Sequence, residues 1–275
     1  MLTQRIVIAL IIGPVLLTAA YFGGWLFFAA VAFLMIMSGI EYANIMRVLK
    51  HQLPLWLLLP GIALLLFGAW QPGWNIDGLA FFLVIFAGLI YCLRLFERGV
   101  TLDAALDWFA LVAGIVLLGW VGGHFFHLRN LPVVGAQWTM LGLLSIWSAD
   151  MGAFAVGKWL AGRGILGRHA LAPRLSPKKT VEGYVGGIII GTAVTISAAL
   201  ILDLPVLLAV VVGLAVSIFG LFGDLSISLL KREAGLKDSG KIFPGHGGAL
   251  DRSDSLIWAI AIVYYLVLFL GPILA

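Results

Sequence analysis

The sequence predicts an all-α integral membrane protein, a polytopic bundle of about nine transmembrane helices with the N-terminus in the cytoplasm. Of its 275 residues, 62% are hydrophobic and only 11% are charged, and the mean hydropathy is +1.11. Soluble domains are about half apolar and about a quarter charged, so this chain could not keep its surface in water. Its apolar runs are long and continuous, which favours spanning helices over the short alternating segments of a β-barrel.

Nine apolar runs approach the length of about 20 residues that a membrane-spanning helix needs. The predicted spans are Ile6–Phe22, Trp25–Ile40, Leu53–Trp70, Leu79–Leu93, Ala105–Phe125, Gln137–Trp159, Tyr184–Leu202, Val206–Leu230 and Leu256–Leu274. Gly and Pro residues mark most of the connections. The first run could instead be a cleaved signal peptide, because Arg5 precedes an apolar stretch that ends in small residues. The charge distribution fits better if this segment is retained.

The basic residues support this orientation. A cytoplasmic N-terminus and nine spans place every Lys and Arg except Arg129 on the cytoplasmic side, as the positive-inside rule requires. We therefore divide the chain into an N-terminal region, 1–130, with about five spans and no specific motif, and a C-terminal catalytic region, 131–275. The second region carries two long, polar cytoplasmic loops, 158–183 (the first loop) and 231–255 (the second loop). The net charge of +4 thus reflects topology, and no nucleic-acid partner is predicted.

Two carboxylates lie inside predicted spans, Asp150 in the sixth and Asp224 in the eighth. A charge at membrane depth costs a few kcal/mol and usually marks an ion, proton or substrate path. The alternative is a carboxylate that pairs with a neighbouring cation for packing. Asp224, Ser228 and Lys231 have the spacing i, i+4 and i+7, which puts them on one helix face. They form a polar stripe that leads towards the second loop.

The second loop combines cations, glycines and acids in a pattern that indicates phosphate together with a metal. Lys and Arg neutralise phosphate oxygens, and glycines such as Gly247 and Gly248 let backbone N–H groups approach an anion closely. Asp251 and Asp254, at the start of the last span, suit Mg²⁺, which takes one or two carboxylates plus substrate phosphates. The alternatives are helix capping for Asp254 and a structural hydrogen bond for His246.

The first loop ends in the run Ser176-Pro177-Lys178-Lys179-Thr180-Val181-Glu182. We interpret this run as a turn that leads into the seventh span. Lys178 and Lys179 would either meet substrate phosphate or contact anionic lipid at the membrane surface, where each basic residue contributes about 1 kcal/mol.

These polar segments resemble a known family. The motif Ser228-x2-Lys231-Arg232-x4-Lys237-Asp238-x-Gly240-x2-Phe243-Pro244-x-His246-Gly247-Gly248-x2-Asp251-Arg252-x-Asp254 resembles the signature of the phosphatidate cytidylyltransferases. The run Ser176-Pro177-x-Lys179-Thr180-x-Glu182-Gly183 resembles their second motif, and Asp150 with Gly152-Ala153 and Gly157-Lys158 resembles a third. Together the motifs cover roughly 145–255. Ala249 and Ser253 stand where larger or apolar residues are expected, which bears on local packing more than on chemistry.

The resemblance implies a polytopic, dimeric enzyme that transfers the cytidylyl group of CTP to phosphatidic acid and releases pyrophosphate. It implies Mg²⁺ as the cofactor, with a monovalent cation such as K⁺ in addition. Asp224 and Asp251 match the family's metal-binding acids, and Asp150 is a third candidate. The candidate catalytic residues are Lys179, Lys231, Arg232, Lys237, Asp238, His246, Arg252 and Asp254. The candidate substrate-binding residues are Ser176, Thr180, Glu182, Gly247 and Gly248.

Three other functions stay open at this point. A secondary transporter would use Asp150 and Asp224 as ion-path carboxylates, but it predicts an internal repeat and polar residues on both sides of the membrane, and the sequence has neither. A scaffold would bind anionic lipids through its basic loops, and a related enzyme would use CTP with a different lipid acceptor. We expect the protein to lie in a bacterial inner membrane, with its active site facing the cytoplasm. The expected partners are membrane lipids and a second copy of the chain, in a homodimer.

Overall fold

The computed structural model describes residues 13–74, 76–100, 103–163, 167–242 and 247–274. In these ranges the chain is mostly helical. The helices are α1 (Gly13–Phe22), α2 (Gly24–Val48), α3 (Leu55–Trp70), α4 (Asp77–Glu97), α5 (Ala104–Ile115), α6 (Gly122–Arg129), α7 (Gly135–Trp159), α8 (Val181–Ile201), α9 (Val206–Glu233) and α10 (Leu250–Leu274). A π-helical turn, Val116–Val121, joins α5 to α6, and a short 3₁₀ turn covers Pro72–Trp74.

Seven helical segments among the described residues are long and apolar enough to cross a membrane. They are α2, α4, the continuous run Ala104–Arg129, α7, α8, α9 and α10. The apolar helices α1 and α3 are shorter. The predicted class, an all-α integral membrane protein, is therefore confirmed. The count of nine spans and the cytoplasmic N-terminus stay predictions.

Several helices extend beyond the ends that hydropathy predicts, and three of these extensions carry polar residues of the candidate site. Helix α2 continues past Ile40 to Val48, α9 reaches Glu233, and α10 begins at Leu250 rather than Leu256. Hydropathy ends a span at its first charged residues, whereas the backbone continues as a helix when those charges find partners on its surface. The polar ends of these helices carry most of the candidate site.

The first loop contains a two-stranded antiparallel hairpin that the sequence did not predict. Strand β1 (Ala170–Ala172) pairs with β2 (Ser176–Thr180), with Ala170 opposite Thr180 and Ala172 opposite Ser176. Pro177 is compatible with β2 because each strand of a two-stranded sheet is an edge strand. Strand β2 leads directly into α8, so the hairpin places Lys179 next to the start of that helix.

The chain forms two compact units. The first comprises Met1–Asn130 together with Leu230–Ser253, and the second comprises Leu131–Leu229 together with Asp254–Ala275. The second loop therefore groups mainly with the N-terminal helices. The first loop groups with α7 and α8.

Arg129 contributes a helix cap within the first unit. Its Nε donates to the carbonyl oxygen of Ala20 at 2.6 Å, and its Nη2 donates to that of Tyr21 at 3.0 Å. These are carbonyls of the last turn of α1, where a helix has unsatisfied acceptors and a partial negative charge. The single cation that the predicted topology leaves outside the cytoplasm thus has a structural role.

Helices α7 and α8 pack closely together in the second unit. A Cβ atom added at Gly187 would lie 2.7 Å from the carbonyl oxygen of Ala149 and 2.9 Å from Cβ of Ala153. A Cβ atom added at Gly183 would lie 2.7 Å from the carbonyl oxygen of Ala153. Small residues allow helix backbones to approach in this way, which is the common packing mode of helices in lipid.

This packing predicts that the same substitution at two glycines changes stability differently. Gly187→Ala should lower the thermal unfolding temperature in detergent, because its Cβ would contact backbone, and overpacking costs about 1–3 kcal/mol. Gly78→Ala should leave stability unchanged or slightly raised, because its Cβ would meet nothing within 4 Å in a helix. Equal unfolding temperatures for the two variants would show that the α7–α8 contact is looser than described.

Candidate active site

A buried ion pair joins the end of α9 to the start of α10 in the first unit. Lys231 Nζ donates to Asp251 Oδ1 at 2.5 Å, and the two side chains are 9% and 7% exposed. Asp251 Oδ2 accepts from the backbone N–H groups of Ser239 at 2.8 Å and Gly248 at 3.0 Å. A buried charge needs this kind of full compensation, because an unpaired one costs several kcal/mol. Asp251 therefore holds both ends of the second loop.

Gly247 and Gly248 are required by this geometry. Gly247 has φ +82°, a left-handed conformation that favours glycine, and a Cβ there would collide with Asp251 Oδ2. A Cβ on Gly248 would collide with the carboxylate of Glu41. The sequence predicts that these glycines let the backbone approach an anion. The anions they approach in the structure are the protein's own carboxylates, and their predicted contact with substrate stays a prediction.

Glu41 is a component that the sequence analysis missed. It lies on α2, is 3% exposed, and accepts from the hydroxyl of Ser239 at 2.8 Å. It also accepts from the backbone N–H groups of Ala249 at 3.0 Å and Leu250 at 2.9 Å. A signal was present, since Glu41 follows an apolar run, but ending the second span at Ile40 left it among ordinary surface charges.

A second lysine–aspartate pair lies in the second unit. Lys179, on β2, forms an ion pair with Asp224 on α9. Ser228 Oγ donates to Asp224 Oδ1 at 3.1 Å, as the predicted spacing along one helix face requires. The side chains of this pair are 26% and 31% exposed, so unlike Lys231 and Asp251 they stay accessible. The motif that carries Lys179 is thus brought next to the polar stripe that begins at Asp224.

Other predicted residues of the first loop shape its entry into α8. Thr180 is the N-cap of α8, and its hydroxyl accepts from the backbone N–H of Gly183 at 3.1 Å. Glu182 accepts from the backbone N–H of His169 at 3.1 Å and lies 2.6 Å from its ring Nδ1. These contacts tie the hairpin to the helix start. Ser176, at the beginning of β2, is half-buried.

Asp150 and Asp254 lie in the second unit, near the start of α10. Ser255 Oγ donates to Asp150 Oδ2 at 3.4 Å, and the backbone N–H of Ser255 donates to Asp254 Oδ1 at 2.7 Å. Asp150 is exposed and Asp254 is buried. Because α10 begins at Leu250, Asp254 is its fifth residue and lies beyond the first turn, so the capping alternative is not supported.

The remaining predicted catalytic residues are exposed cations and one exposed acid. They are Arg232, Lys237, Asp238 and Arg252. Arg232 Nη1 donates to the carbonyl oxygen of Leu236 at 3.0 Å, just past the end of α9. His246 lies outside the described residues, so its predicted role stays untested.

The carboxylates suit a metal that shares its coordination with a ligand. Among the residues the structure describes, no group of three or more His, Cys, Asp or Glu side chains is placed to hold a metal ion. Mg²⁺ does not need such a group, since it usually takes one or two carboxylates plus substrate phosphates and water. Asp224 fits this requirement because its carboxylate is hard and partly exposed, provided that Lys179 leaves it when the metal binds. Asp251 meets the same requirement if Lys231 moves away from its Oδ1 when the metal binds.

Both pairs have the same arrangement, a carboxylate next to an ammonium group. The ammonium can attract a phosphate oxygen, and the carboxylate can attract the metal that accompanies that phosphate. The second loop also carries exposed Arg and Lys side chains, which add positive charge. The arrangement is suited to binding a polyanion with its cation.

Comparisons with known proteins agree with this chemistry. The model of the cytidylyltransferase family matches residues 3–270. The chain is 33% identical to a phosphatidate cytidylyltransferase of Synechocystis sp. over 99% of this chain and 98% of that protein. It is 32% identical to one of Staphylococcus saprophyticus over 97% and 98% of the two chains. A third, from Bacillus subtilis, is 40% identical over 55% of each chain.

The difference in burial between the two pairs predicts different costs for losing the lysine. Lys231→Met should destabilise the protein by about 3–5 kcal/mol, because it leaves the Asp251 charge buried without its counterion. Lys179→Met should cost less than Lys231→Met, because the Asp224 carboxylate is less enclosed by protein and keeps the hydrogen bond from Ser228. Denaturant unfolding in one detergent measures both. Equal costs would contradict the described burial of Asp251.

Proposed function

This chain belongs to the cytidylyltransferase family, and we propose that it works as a phosphatidate cytidylyltransferase with its two lysine–aspartate pairs as reaction centres. The enzyme transfers the cytidylyl group of CTP to phosphatidic acid, giving CDP-diacylglycerol and pyrophosphate. The observation that carries this function is the near-complete overlap with relatives of that name. Family membership decides in favour of an enzyme over the transporter and the scaffold.

The reaction joins two anions, which determines what the protein has to supply. A phosphate oxygen of phosphatidic acid attacks the α-phosphorus of CTP, and pyrophosphate leaves in line with the attack. Since the attacking phosphate is already ionised, no strong general base is needed. The main requirements are positioning and neutralisation of charge on the substrates and the leaving group.

The lysines and arginines of the two loops supply that neutralisation. We assign Lys179 and Lys231 to phosphate oxygens, each released from its aspartate when substrate binds. Arg232, Lys237 and Arg252 are exposed and free of membrane-depth constraints, so they can meet the phosphates of CTP arriving from the aqueous side. Lipid tails can stay in the bilayer throughout, because the cations Lys231, Arg232 and Arg252 lie at helix ends.

Asp224 and Asp251 are the proposed ligands of Mg²⁺, with Asp150 as a further candidate. When bound, the metal would offset negative charge on the reacting phosphates. The protein's own contribution is to hold each carboxylate in place, through Ser228 for Asp224 and through backbone N–H groups for Asp251. A monovalent cation such as K⁺ is a further proposal that rests on the family resemblance alone.

The proposed location in the cell rests on the distribution of basic residues and on the organisms of the relatives. We propose a bacterial inner membrane, since the relatives named above are bacterial and the apolar helices require a bilayer. The distribution of basic residues supports a cytoplasmic position for both loops. A homodimer is the proposed assembly.

The reaction can be tested directly with labelled CTP, phosphatidic acid and Mg²⁺ and the purified protein in detergent. We expect a lipid-soluble cytidine product, and a fall in kcat of at least about 100-fold in Asp224→Asn and Asp251→Asn, because each loses a charge that binds the metal. Asp203→Asn is the matched control. It removes an exposed carboxylate from the loop between α8 and α9, where a φ of +52° suits Asn equally well.

Each outcome of this experiment has a distinct meaning. No product with phosphatidic acid, but product with another lipid phosphate, would contradict the acceptor. Product that survives both Asp→Asn substitutions would keep the reaction and overturn the metal ligands. Equal loss in Asp203→Asn would show that the effect is general rather than local to the pairs.

A further inference from the structure

We propose that Glu41 is a positioning residue for the transfer reaction, acting through the second loop rather than on substrate. The inference rests on the proposed function and adds to it a residue from the N-terminal helices, in a region without a specific motif. Its evidence is the geometry of one buried carboxylate within the first unit.

Glu41 makes contacts that a residue needed only for packing would not make. It accepts three hydrogen bonds, two of them from the backbone N–H groups of Ala249 and Leu250 at the start of α10. The first N–H groups of a helix have no partner inside the helix and carry partial positive charge. A carboxylate supplied by α2 therefore caps α10 from outside.

Glu41 and Asp251 share Ser239 as a hydrogen-bond donor, and both carboxylates lie against Gly248. Ser239 donates its hydroxyl to Glu41 and its backbone N–H to Asp251. Gly248 donates its backbone N–H to Asp251, and its Cα faces Glu41 so closely that no side chain fits between them. A Cβ on Gly240 would also collide with Glu41. The second loop is thus clamped between two carboxylates.

The clamp determines where the Lys231–Asp251 pair lies. If Glu41 released Ser239 and the start of α10, the two backbone donors of Asp251 Oδ2 would be free to move. Asp251 would then lose the orientation that presents Oδ1 to Lys231. Partners of this kind, which hold a metal-binding group without touching the metal, typically change activity or metal affinity about 10–100-fold when removed.

Glu41→Gln is the sharpest test, because it keeps the shape of the side chain and removes one of its two acceptor oxygens. The amide would put an NH₂ group against a backbone or hydroxyl donor, so at least one bond of the clamp is lost. We expect the Mg²⁺ concentration for half-maximal activity to rise at least about 10-fold. A mere loss of folded protein would lower the rate and leave that concentration unchanged.

Tyr42→Phe is the matched control. Tyr42 is the next residue on α2, is also 3% exposed, and donates one buried hydrogen bond to the carbonyl oxygen of Ala110 at 2.7 Å. This contact lies away from the second loop. We expect Tyr42→Phe to change stability as much as a lost buried hydrogen bond does, with an unchanged Mg²⁺ requirement.

Amide hydrogen exchange in the absence of substrate and metal gives a second readout. In Glu41→Gln the amides of Ala249 and Leu250 should exchange faster than in the wild type, while α3 stays protected. Ser239→Ala adds a coupling test. It should lower kcat about 5-fold alone, as one hydrogen bond would, and by less than about 2-fold in the Glu41→Gln background.

The results separate this inference from the function on which it rests. An inactive wild type overturns the proposed function and the inference with it. If the wild type is active and Glu41→Gln has the same Mg²⁺ requirement as Tyr42→Phe, the inference alone is overturned. It is also overturned if Ser239→Ala lowers kcat by the same factor in the Glu41→Gln background as in the wild type. Should Glu41→Gln fail to fold, an unchanged kcat in Ser239→Ala would equally overturn it.

Discussion

A carboxylate withdrawn from water has to receive a cation or several hydrogen-bond donors, and this requirement arranges the polar part of the protein. Asp251 receives both, from Lys231 and from two backbone N–H groups. Glu41 receives only neutral donors, three of them. The positions of the second loop and of the start of α10 follow from satisfying these two acids.

The same requirement explains the glycine at position 248. The Glu41 carboxylate lies where a Cβ of that residue would be, so only glycine fits there. Elsewhere the glycines serve a different purpose, since at Gly187 they bring two helix backbones together in the absence of any charge. One residue type therefore builds the polar site and the apolar packing of this chain by the same means, close approach of backbone.

The class of the fold and the residue types of the site were predictable, because they depend on composition and on local spacing. Long apolar runs are sufficient to predict helices, and the i, i+4 relation of Asp224 and Ser228 appears as a hydrogen bond. Partners distant in sequence were not predictable. Nothing near Lys179 indicates that it meets Asp224, and nothing near Ser239 indicates that it meets Glu41. Hydropathy also ended α2 at Ile40, since a scale that averages over a window cannot register that one acid is paired.

The buried pair of Lys231 and Asp251 has a consequence for how this sequence can change over time. Replacing either residue alone leaves a charge without its counterion in an environment that screens poorly. A neutral pair in their place would avoid that cost, yet it is reached only through one of the two unfavourable intermediates. Single substitutions therefore rarely lead into or out of this pair, whereas Lys179 and Asp224 are less enclosed by protein, so that losing one of them leaves a less deeply buried charge.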